Sequence, residues 1–154
     1  DDSPNLTMME IRAKARRLKQ RHDLQLIAID YIQLMTSGKK VESRQLEVSE
    51  FSRQIKLLAK ELEIPVIALS QLSRNTEQRK DGIPQLSDLR ESGSLEQDAD
   101  IVLMLHRPEM YSQNPSDEER GLAAFHIPKH RNGETGKIDA LFQGHYSRFT
   151  NAPM

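Results

Sequence analysis

The sequence has 154 residues, with 22 basic and 23 acidic side chains and no cysteine. This length is typical of a single domain with a substantial core, and the lack of cysteine excludes disulfides and thiolate metal sites, as in a cytoplasmic protein. No apolar run is long enough to cross a membrane and no signal peptide is recognisable. Because the net charge is only −1, nucleic-acid binding has to be argued from local clusters of basic residues.

A basic helix is predicted at the start of the chain. Thr7 and Glu10 have the spacing of a capping box, and apolar positions at helical intervals continue to about His22. Residues 12–21 contain six basic side chains and no acidic one. We interpret them as a solvated helix surface in preference to a nucleic-acid contact.

Two apolar strands and a helix between them follow. The strands are predicted at Leu26–Asp30 and Val66–Gln71, each turning polar at its carboxyl end, and both have the continuous apolar pattern of strands buried on both faces. A polar loop at 36–42 and a helix from Ser43 to Glu63 separate them. Two strands joined by a helix of this length predict a right-handed βαβ unit with parallel strands.

The second half of the chain is expected to add shorter strands. Residues 72–93 form a polar stretch too long for a simple connection, which favours a functional loop, and a short helix from Ser87 to Gln97 is predicted at its end. An apolar strand from Asp100 to His106 precedes a hydrophilic excursion. Tight links then favour antiparallel pairing of the last strands, at Leu122–Ile127, Lys137–Phe142 and Tyr146–Phe149.

Asp30 and Gln71 are expected side by side, because the carboxyl ends of parallel strands meet at one edge of a sheet. Ligands of open α/β sheets bind at this edge, so Asp30 is placed to hold Mg²⁺ near a nucleotide's phosphates, directly or through water. An aspartate that opens a surface turn explains the same pattern. Both interpretations are compatible with the residues taken alone.

Lys129 to Gly133 is predicted to form the tip of a hairpin. The planar fork of arginine matches phosphate oxygens, and an exposed tip makes Arg131 a candidate arginine finger that acts in a neighbouring subunit. A solvated basic turn explains these residues as well. The following Gly133–Lys137 is not a phosphate-binding loop, because Arg131 and Ile138 stand where that pattern requires glycine and a hydroxyl residue.

Five segments carry a resemblance to a known family: Met9–Arg17, Ile29–Met35, Ala68–Arg74, Ser87–Asp100 and Lys129–Gly133. In this order they resemble the carboxyl-terminal, RecA-like motor domain of the DnaB family of replicative DNA helicases. The resemblance covers residues 1–154. It implies an α/β, RecA-like P-loop NTPase fold in which a mostly parallel sheet is finished by antiparallel strands.

The resemblance implies roles in ATP hydrolysis. Asp30 is similar to the Walker B carboxylate that organises Mg²⁺, and Gln71 to the polar sensor of the γ-phosphate. Lys129 and Arg131 are implied to reach the nucleotide site of the next subunit of a homo-hexamer, where the arginine stabilises charge on the transferring phosphoryl group.

The resemblance also implies a contact to single-stranded DNA in the channel of the ring. Arg90, Glu91 and Gly93 match the channel loop that holds the DNA backbone. Phosphate contacts of this kind give no base readout, as a motor that accepts any sequence requires. The further candidates are Lys39, Lys40 and Arg74.

In the family, the phosphate-binding lysine and the glutamate that activates water precede the segment with which this sequence begins. We therefore expect a distal part of the motor domain that by itself neither hydrolyses ATP nor binds it tightly. The parent protein is expected to be a bacterial replisome helicase that moves 5′ to 3′, with primase and a helicase loader as partners. The incomplete sheet predicts an exposed apolar edge or face, and poor solubility or oligomers of the isolated chain.

Two rival functions remain compatible with the sequence. A RecA-like recombinase or regulatory ATPase would use ATP binding as an assembly switch, although the Arg90–Gly93 loop fits a channel grip better than a strand-exchange surface. An unwinding assay separates these two. A non-catalytic module that binds DNA or a partner predicts that Asp30→Ala leaves the activity of the parent protein intact.

Overall fold

The structure is a computed structural model that describes residues 6–38, 43–76, 79, 81–89, 93–112, 114–116 and 119–152. The chain divides into two compact units, one made of residues 1–71 and 89–99 and the other of residues 72–88 and 100–154. The described part of the first contains three helices and a parallel strand pair, and that of the second an antiparallel sheet. The predicted α/β class is confirmed. No described helix has the length and apolar character needed to cross a bilayer.

Helix α1, Met8–His22, begins at the predicted capping box. The Glu10 amide donates a hydrogen bond to the Thr7 hydroxyl at 3.3 Å, and the Thr7 amide donates one to the Glu10 carboxylate at 2.9 Å. The two bonds satisfy N–H groups that have no partner within the helix. The helix ends where Asp23 adopts a left-handed conformation, with φ of 48°.

Strand β1, Ile27–Ile29, pairs directly and in parallel with strand β2, Val66–Ala68. Helix α2, Arg44–Leu62, lies between the two strands in the sequence. The helix begins after Ser43, whose hydroxyl accepts a hydrogen bond from the Leu46 amide at 3.2 Å. These three elements confirm the predicted strand–helix–strand order and its parallel pairing.

The core of the first unit lies between α1, α2 and one face of the strand pair. Val48 and Leu58 of α2 are almost completely buried, as is Ile32 after β1. Burying a side chain of this size contributes about 1.5–3 kcal/mol, so the apolar face of α2 accounts for much of this unit's stability. The other members of the core are Met8, Ala15, Met35, Phe51, Ile55, Leu62 and Ile64.

The opposite face of the strand pair is exposed. Ile67 and Leu69 retain 51% and 48% of their accessible surface, Leu26 retains 46%, and Ala28 is exposed as well. The prediction that both strands are buried on two faces is therefore wrong for this chain, because α1 and α2 cover only one of them. The predicted exposed apolar face is confirmed, and the poor solubility or oligomers expected from it stay a prediction.

Helix α3, Gly93–Asp98, is shorter than the predicted helix from Ser87 and packs on α2. The buried Ser52 hydroxyl of α2 donates to the Asp98 carboxylate at 2.7 Å, and the Ser94 hydroxyl donates to that of Ser49 at 2.9 Å. These side-chain bonds hold α3 to the middle of the longer helix.

The second unit is a four-stranded antiparallel sheet in the order β3-β4-β5-β6. The predicted antiparallel pairing of the last strands is confirmed. Parallel pairing is less extensive than expected, because β1 and β2 are the one parallel pair among the described strands. The strand predicted at Asp100–His106 pairs antiparallel with β4, which returns beside it. The four strands are β3 Ile101–His106, β4 Leu122–His130, β5 Gly136–Gln143 and β6 Arg148–Asn151.

Strand β4 is three residues longer than predicted and carries Pro128 near its end. The register between β3 and β4 shifts between Val102, which lies opposite Lys129, and Met104, which lies opposite His126. Three steps along β4 thus match two along β3, which is the geometry of a bulge. A bulge tolerates a residue without an N–H donor, so the proline does not end the strand.

The polar segment after β2 is organised around a buried carboxylate. Asp88 is 4% exposed and forms an ion pair with Arg79, whose Nη1 donates to it at 2.9 Å. The Gln85 amide donates to the same carboxylate at 2.7 Å, and the Ser73 amide donates to the Asp88 carbonyl at 2.9 Å. The hydrogen bond from Arg79 lowers the pKa of Asp88. No sequence pattern predicted this ion pair, which lies inside the stretch interpreted as a functional loop.

His106 gives the second unit a predicted pH dependence. Its ring is 6% exposed, stacks on Tyr111, and places Nε2 3.1 Å from the Asp81 carbonyl oxygen. Burial lowers the pKa of His106 below its ordinary value of 6.5, and the nearby His126 acts in the same direction. The folded state therefore favours the neutral ring, and this stabilisation is complete above pH 6.5 and is lost as the pH falls toward the lower folded-state pKa.

We expect the hydrogen-exchange protection of β3 and β4 amides, corrected for intrinsic exchange rates, to fall between about pH 7.5 and 5.5. His106→Gln keeps a donor for Asp81 but cannot titrate, so its protection should change less over this range. His145→Gln, at an exposed histidine of the same unit, is the matched control and should behave like the unsubstituted chain. An equal loss of protection in the His106 variant would contradict the assignment.

Candidate nucleotide site at the ends of two parallel strands

Asp30 and Gln71 lie just beyond the carboxyl ends of β1 and β2, and both are exposed. Main-chain bonds continue the strand pairing to this edge: the Leu69 amide donates to the Ile29 carbonyl at 2.9 Å, and the Ile32 amide donates to the Leu69 carbonyl at 3.0 Å. A cleft of about 340 Å³ opens here, lined by Asp30, Tyr31, Leu69, Ser70 and Gln71. The structure thus brings the predicted carboxylate and the predicted sensor to one cleft.

A third polar side chain, Gln33, links the two strand ends. Its Nε2 donates to the Ser70 hydroxyl at 3.0 Å and to the Gln71 carbonyl at 3.4 Å. Its Oε1 accepts a hydrogen bond from the Gln71 amide at 3.2 Å. No role was predicted for this residue from the sequence. The available signal was a polar side chain between the apolar Ile32 and Leu34.

The loop that carries Gln33 is itself held by the start of α2. The Arg44 guanidinium donates to the Gln33 carbonyl at 2.7 Å and to the Met35 carbonyl at 3.0 Å, and it pairs with Glu47. The Glu47 carboxylate also accepts a hydrogen bond from the Ser37 amide at 2.6 Å. Burial alone would raise the pKa of Glu47, but the bonds from Ser37 and Arg44 outweigh burial and lower it.

The donor set of the cleft fits a magnesium ion that arrives with a nucleotide. Mg²⁺ keeps several waters and is commonly held by one or two carboxylates together with substrate phosphates. Asp30 is the carboxylate that lines the cleft, and Gln71 lines it as well. Within the part of the chain that the structure describes, no three His, Cys, Asp or Glu side chains group into a metal cage. A permanently bound structural metal is not supported by these residues.

Lys129 occupies a different position from the one predicted, whereas Arg131 occupies the predicted one. Because β4 extends to His130, Lys129 lies in the strand, and the turn begins at Arg131. The Arg131 amide donates to the Asp100 carbonyl at 2.8 Å, and its Nη1 lies 3.4 Å from an Asp100 carboxylate oxygen. About half of each side chain is exposed, so solvent weakens this ion pair. The prediction of an exposed Arg131 at a hairpin turn is confirmed, and the placement of Lys129 at the tip is wrong.

Four of the predicted DNA contacts, Arg90, Glu91, Lys39 and Lys40, lie outside the described residues. Gly93 is the exposed first residue of α3, and a Cβ added there would meet no atom of the described chain within 4 Å. This position therefore leaves room for another molecule to approach the backbone closely. Arg74 is exposed at the start of a short 3₁₀ turn, Arg74–Thr76.

The similarity to known proteins extends over almost the whole chain. Residues 1–151 match the family described as DnaB-like helicase C terminal domain. The replicative DNA helicase DnaB of Mycobacterium intracellulare is 66% identical over 151 residues, which are 98% of this chain and 26% of that protein. The Geobacillus stearothermophilus helicase of the same name is 53% identical over 152 residues, or 98% of this chain and 33% of that protein. The chain thus spans about a quarter to a third of these relatives.

Solved structures agree with the sequence matches. A DnaB-like replicative helicase, described together with its interactions with primase, superposes with a TM-score of 0.88 at 41% identity. The superposition covers 96% of this chain and 35% of that one. The extent of the family match, the identities and the shared RecA-like fold lead to one conclusion: the chain belongs to the family of DnaB-like helicase C-terminal domains.

Proposed function

We propose that this chain is the distal part of the ATP-driven motor of a replicative DNA helicase. The observation that carries the proposal is the cleft shared by Asp30 and Gln71 at the ends of adjacent parallel strands, in a member of this family. In the proposal, the phosphate-binding loop and the glutamate that activates water come from another part of a longer protein. The chain alone is then inactive toward ATP.

Asp30 and Gln71 act on the triphosphate in this proposal. The Asp30 carboxylate would hold Mg²⁺, which would supply positive charge to neutralise the charge that develops on the phosphate oxygens. The Gln71 carboxamide donates a hydrogen bond to the γ-phosphate and loses it when that phosphate leaves. Gln71 lies three residues beyond the end of β2 and directly precedes the polar segment that begins at residue 72, so a change at its side chain is transmitted to that segment.

Arg131 acts in the nucleotide site of the next subunit of a homo-hexamer. Its guanidinium leaves the ion pair with Asp100, which solvent weakens, and binds the transferring phosphoryl group. The charge of that group is more concentrated, and water does not compete for it in the closed nucleotide site. Lys129 lies two residues earlier in β4 and adds positive charge to the same approach. Each site is then complete only at a subunit boundary, which makes hydrolysis depend on ring assembly.

Single-stranded DNA is the proposed track of the motor. The Arg90 side chain and the main-chain amides of the loop that contains Glu91 and Gly93 hold its phosphates in the channel, with Lys39, Lys40 and Arg74 as further contacts. The ring moves 5′ to 3′ in the bacterial cytoplasm, at the replication fork.

Primase is a proposed partner because a solved relative is described with its interactions with primase, and a helicase loader is proposed from the family resemblance.

The test uses a hybrid helicase, defined as the Mycobacterium intracellulare relative in which this chain replaces the matching 151 residues. We expect it to unwind a fork with a 5′ single-stranded tail when ATP and Mg²⁺ are present, and not a duplex with only a 3′ tail. The unmodified relative is the matched control. DNA-stimulated hydrolysis without unwinding would favour a recombinase or regulatory ATPase instead, and binding without hydrolysis would favour a non-catalytic module.

A further inference from the structure

Gln33 connects the carboxyl ends of β1 and β2 at a point beyond the last main-chain hydrogen bond between them. Among the described residues, the ladder between β1 and β2 ends with the bond from the Ile32 amide to the Leu69 carbonyl. Gln71 lies two residues further on, where its main-chain N–H and C=O both bond to the side-chain carboxamide of Gln33. The carboxamide of Gln33 thus continues the ladder by one step.

The other end of this link is also secured. The Gln33 carbonyl accepts a hydrogen bond from Arg44 at 2.7 Å, so its main chain is tied to the first turn of α2. Gln33 is only partly exposed, and its Nε2 is also held by the Ser70 hydroxyl. The main chain at Gln71 is therefore connected through one side chain to the helix and to the loop that follows Asp30.

We propose that Gln33 is a positioning residue that sets the separation between the Asp30 carboxylate and the Gln71 carboxamide. The inference rests on the proposed function, since it assigns Gln33 a role through Gln71 in the same ATP site. Because both main-chain groups of Gln71 are held by Gln33, its side chain is left to face the cleft. Loss of the link lets Gln71 drift from the γ-phosphate while Asp30 stays in place.

The expected kinetic signature separates positioning from nucleotide binding. A misplacement of about 1 Å in a reacting array lowers the rate by up to roughly 100-fold. Affinity for ATP comes mainly from phosphate and base contacts supplied elsewhere in the longer protein. We therefore expect a change at Gln33 to act on kcat and on the stimulation of hydrolysis by DNA, and to leave KM for ATP nearly unchanged.

The test compares Gln33→Met with Gln54→Met in the hybrid helicase. Methionine keeps the length of glutamine and removes its hydrogen bonds. Gln54 is a matched control because, among the described residues, its carboxamide donates a hydrogen bond to Glu50, one helical turn away, and does not bond to the strand ends. For Gln33→Met we expect kcat to fall roughly 10- to 100-fold, with KM for ATP and the melting temperature close to those of the control. A kcat within about twofold of the control in a folded hexamer would overturn the proposal.

A second variant covers the case in which Gln33→Met does not assemble. Ser70→Ala removes one of the three hydrogen bonds of the Gln33 carboxamide and is expected to lower kcat about threefold without a change in KM, because the loss of one hydrogen bond has a modest effect. An unchanged kcat in Ser70→Ala, with Gln33→Met unfolded, would also count against positioning. If the unsubstituted hybrid does not hydrolyse ATP, the failure belongs to the proposed function and not to this inference.

Discussion

Replacing Asp30 with asparagine is expected to lower ATP hydrolysis by the hybrid helicase about 1,000-fold. Asparagine has nearly the shape of aspartate but no charge, so the cleft keeps its geometry and loses the carboxylate that holds Mg²⁺. The metal is expected to contribute several kcal/mol to stabilising the developing charge. Steady-state phosphate release over a range of Mg²⁺ concentrations measures the effect, and the half-saturating Mg²⁺ concentration should rise.

The matched control for this substitution is Asp23→Asn. Asp23 is an exposed aspartate of the same unit that adopts a left-handed conformation, which asparagine tolerates well. We expect this variant to hydrolyse ATP at the unsubstituted rate. Equal activity of Asp30→Asn and Asp23→Asn would remove Asp30 from the site and would favour the non-catalytic module.

Replacing Arg131 with alanine is expected to lower kcat between about 1,000-fold and 100,000-fold, the range seen for arginine fingers. The fold should survive, because the contact that Arg131 makes with Asp100 is half exposed and contributes little to stability. Arg148→Ala, at an exposed arginine of the same sheet, is the matched control and should retain activity.

A mixing experiment distinguishes action in the next subunit from action within one chain. Hexamers assembled from equal amounts of Arg131→Ala and Asp30→Asn subunits contain boundaries at which an intact Asp30 meets an intact Arg131. With random assembly these are about a quarter of all boundaries, so part of the activity should return. If Arg131 acts within its own subunit, the mixture should be as inactive as either variant alone.

The predictable part of the fold depends on strong local signals. The capping box at Thr7 and Glu10 and the apolar face of α2 specify their helices without tertiary information. The polar ends of two apolar strands were sufficient to place Asp30 and Gln71 at one edge, because parallel pairing leaves little choice of geometry.

The remaining features depend on contacts between distant parts of the sequence. Because of the bulge at Pro128, β4 continues beyond its predicted end, and Lys129 lies in the strand and not in the turn. Gln33 can bond to Gln71 only after β1 and β2 have paired. Arg79 can pair with Asp88 only when the polar segment has folded. The apolar pattern of β1 and β2 predicts burial on both faces, but it cannot show which face this chain covers.

The most direct test of the account is DNA-stimulated ATP hydrolysis by this chain alone and by the hybrid helicase. We predict no hydrolysis by the chain alone, since no segment of it matches a phosphate-binding loop, and hydrolysis that rises with single-stranded DNA in the hybrid. Hydrolysis by the chain alone would reveal a phosphate site within these 154 residues. A well-assembled hybrid hexamer that fails to hydrolyse ATP would contradict the assignment of this chain to the motor.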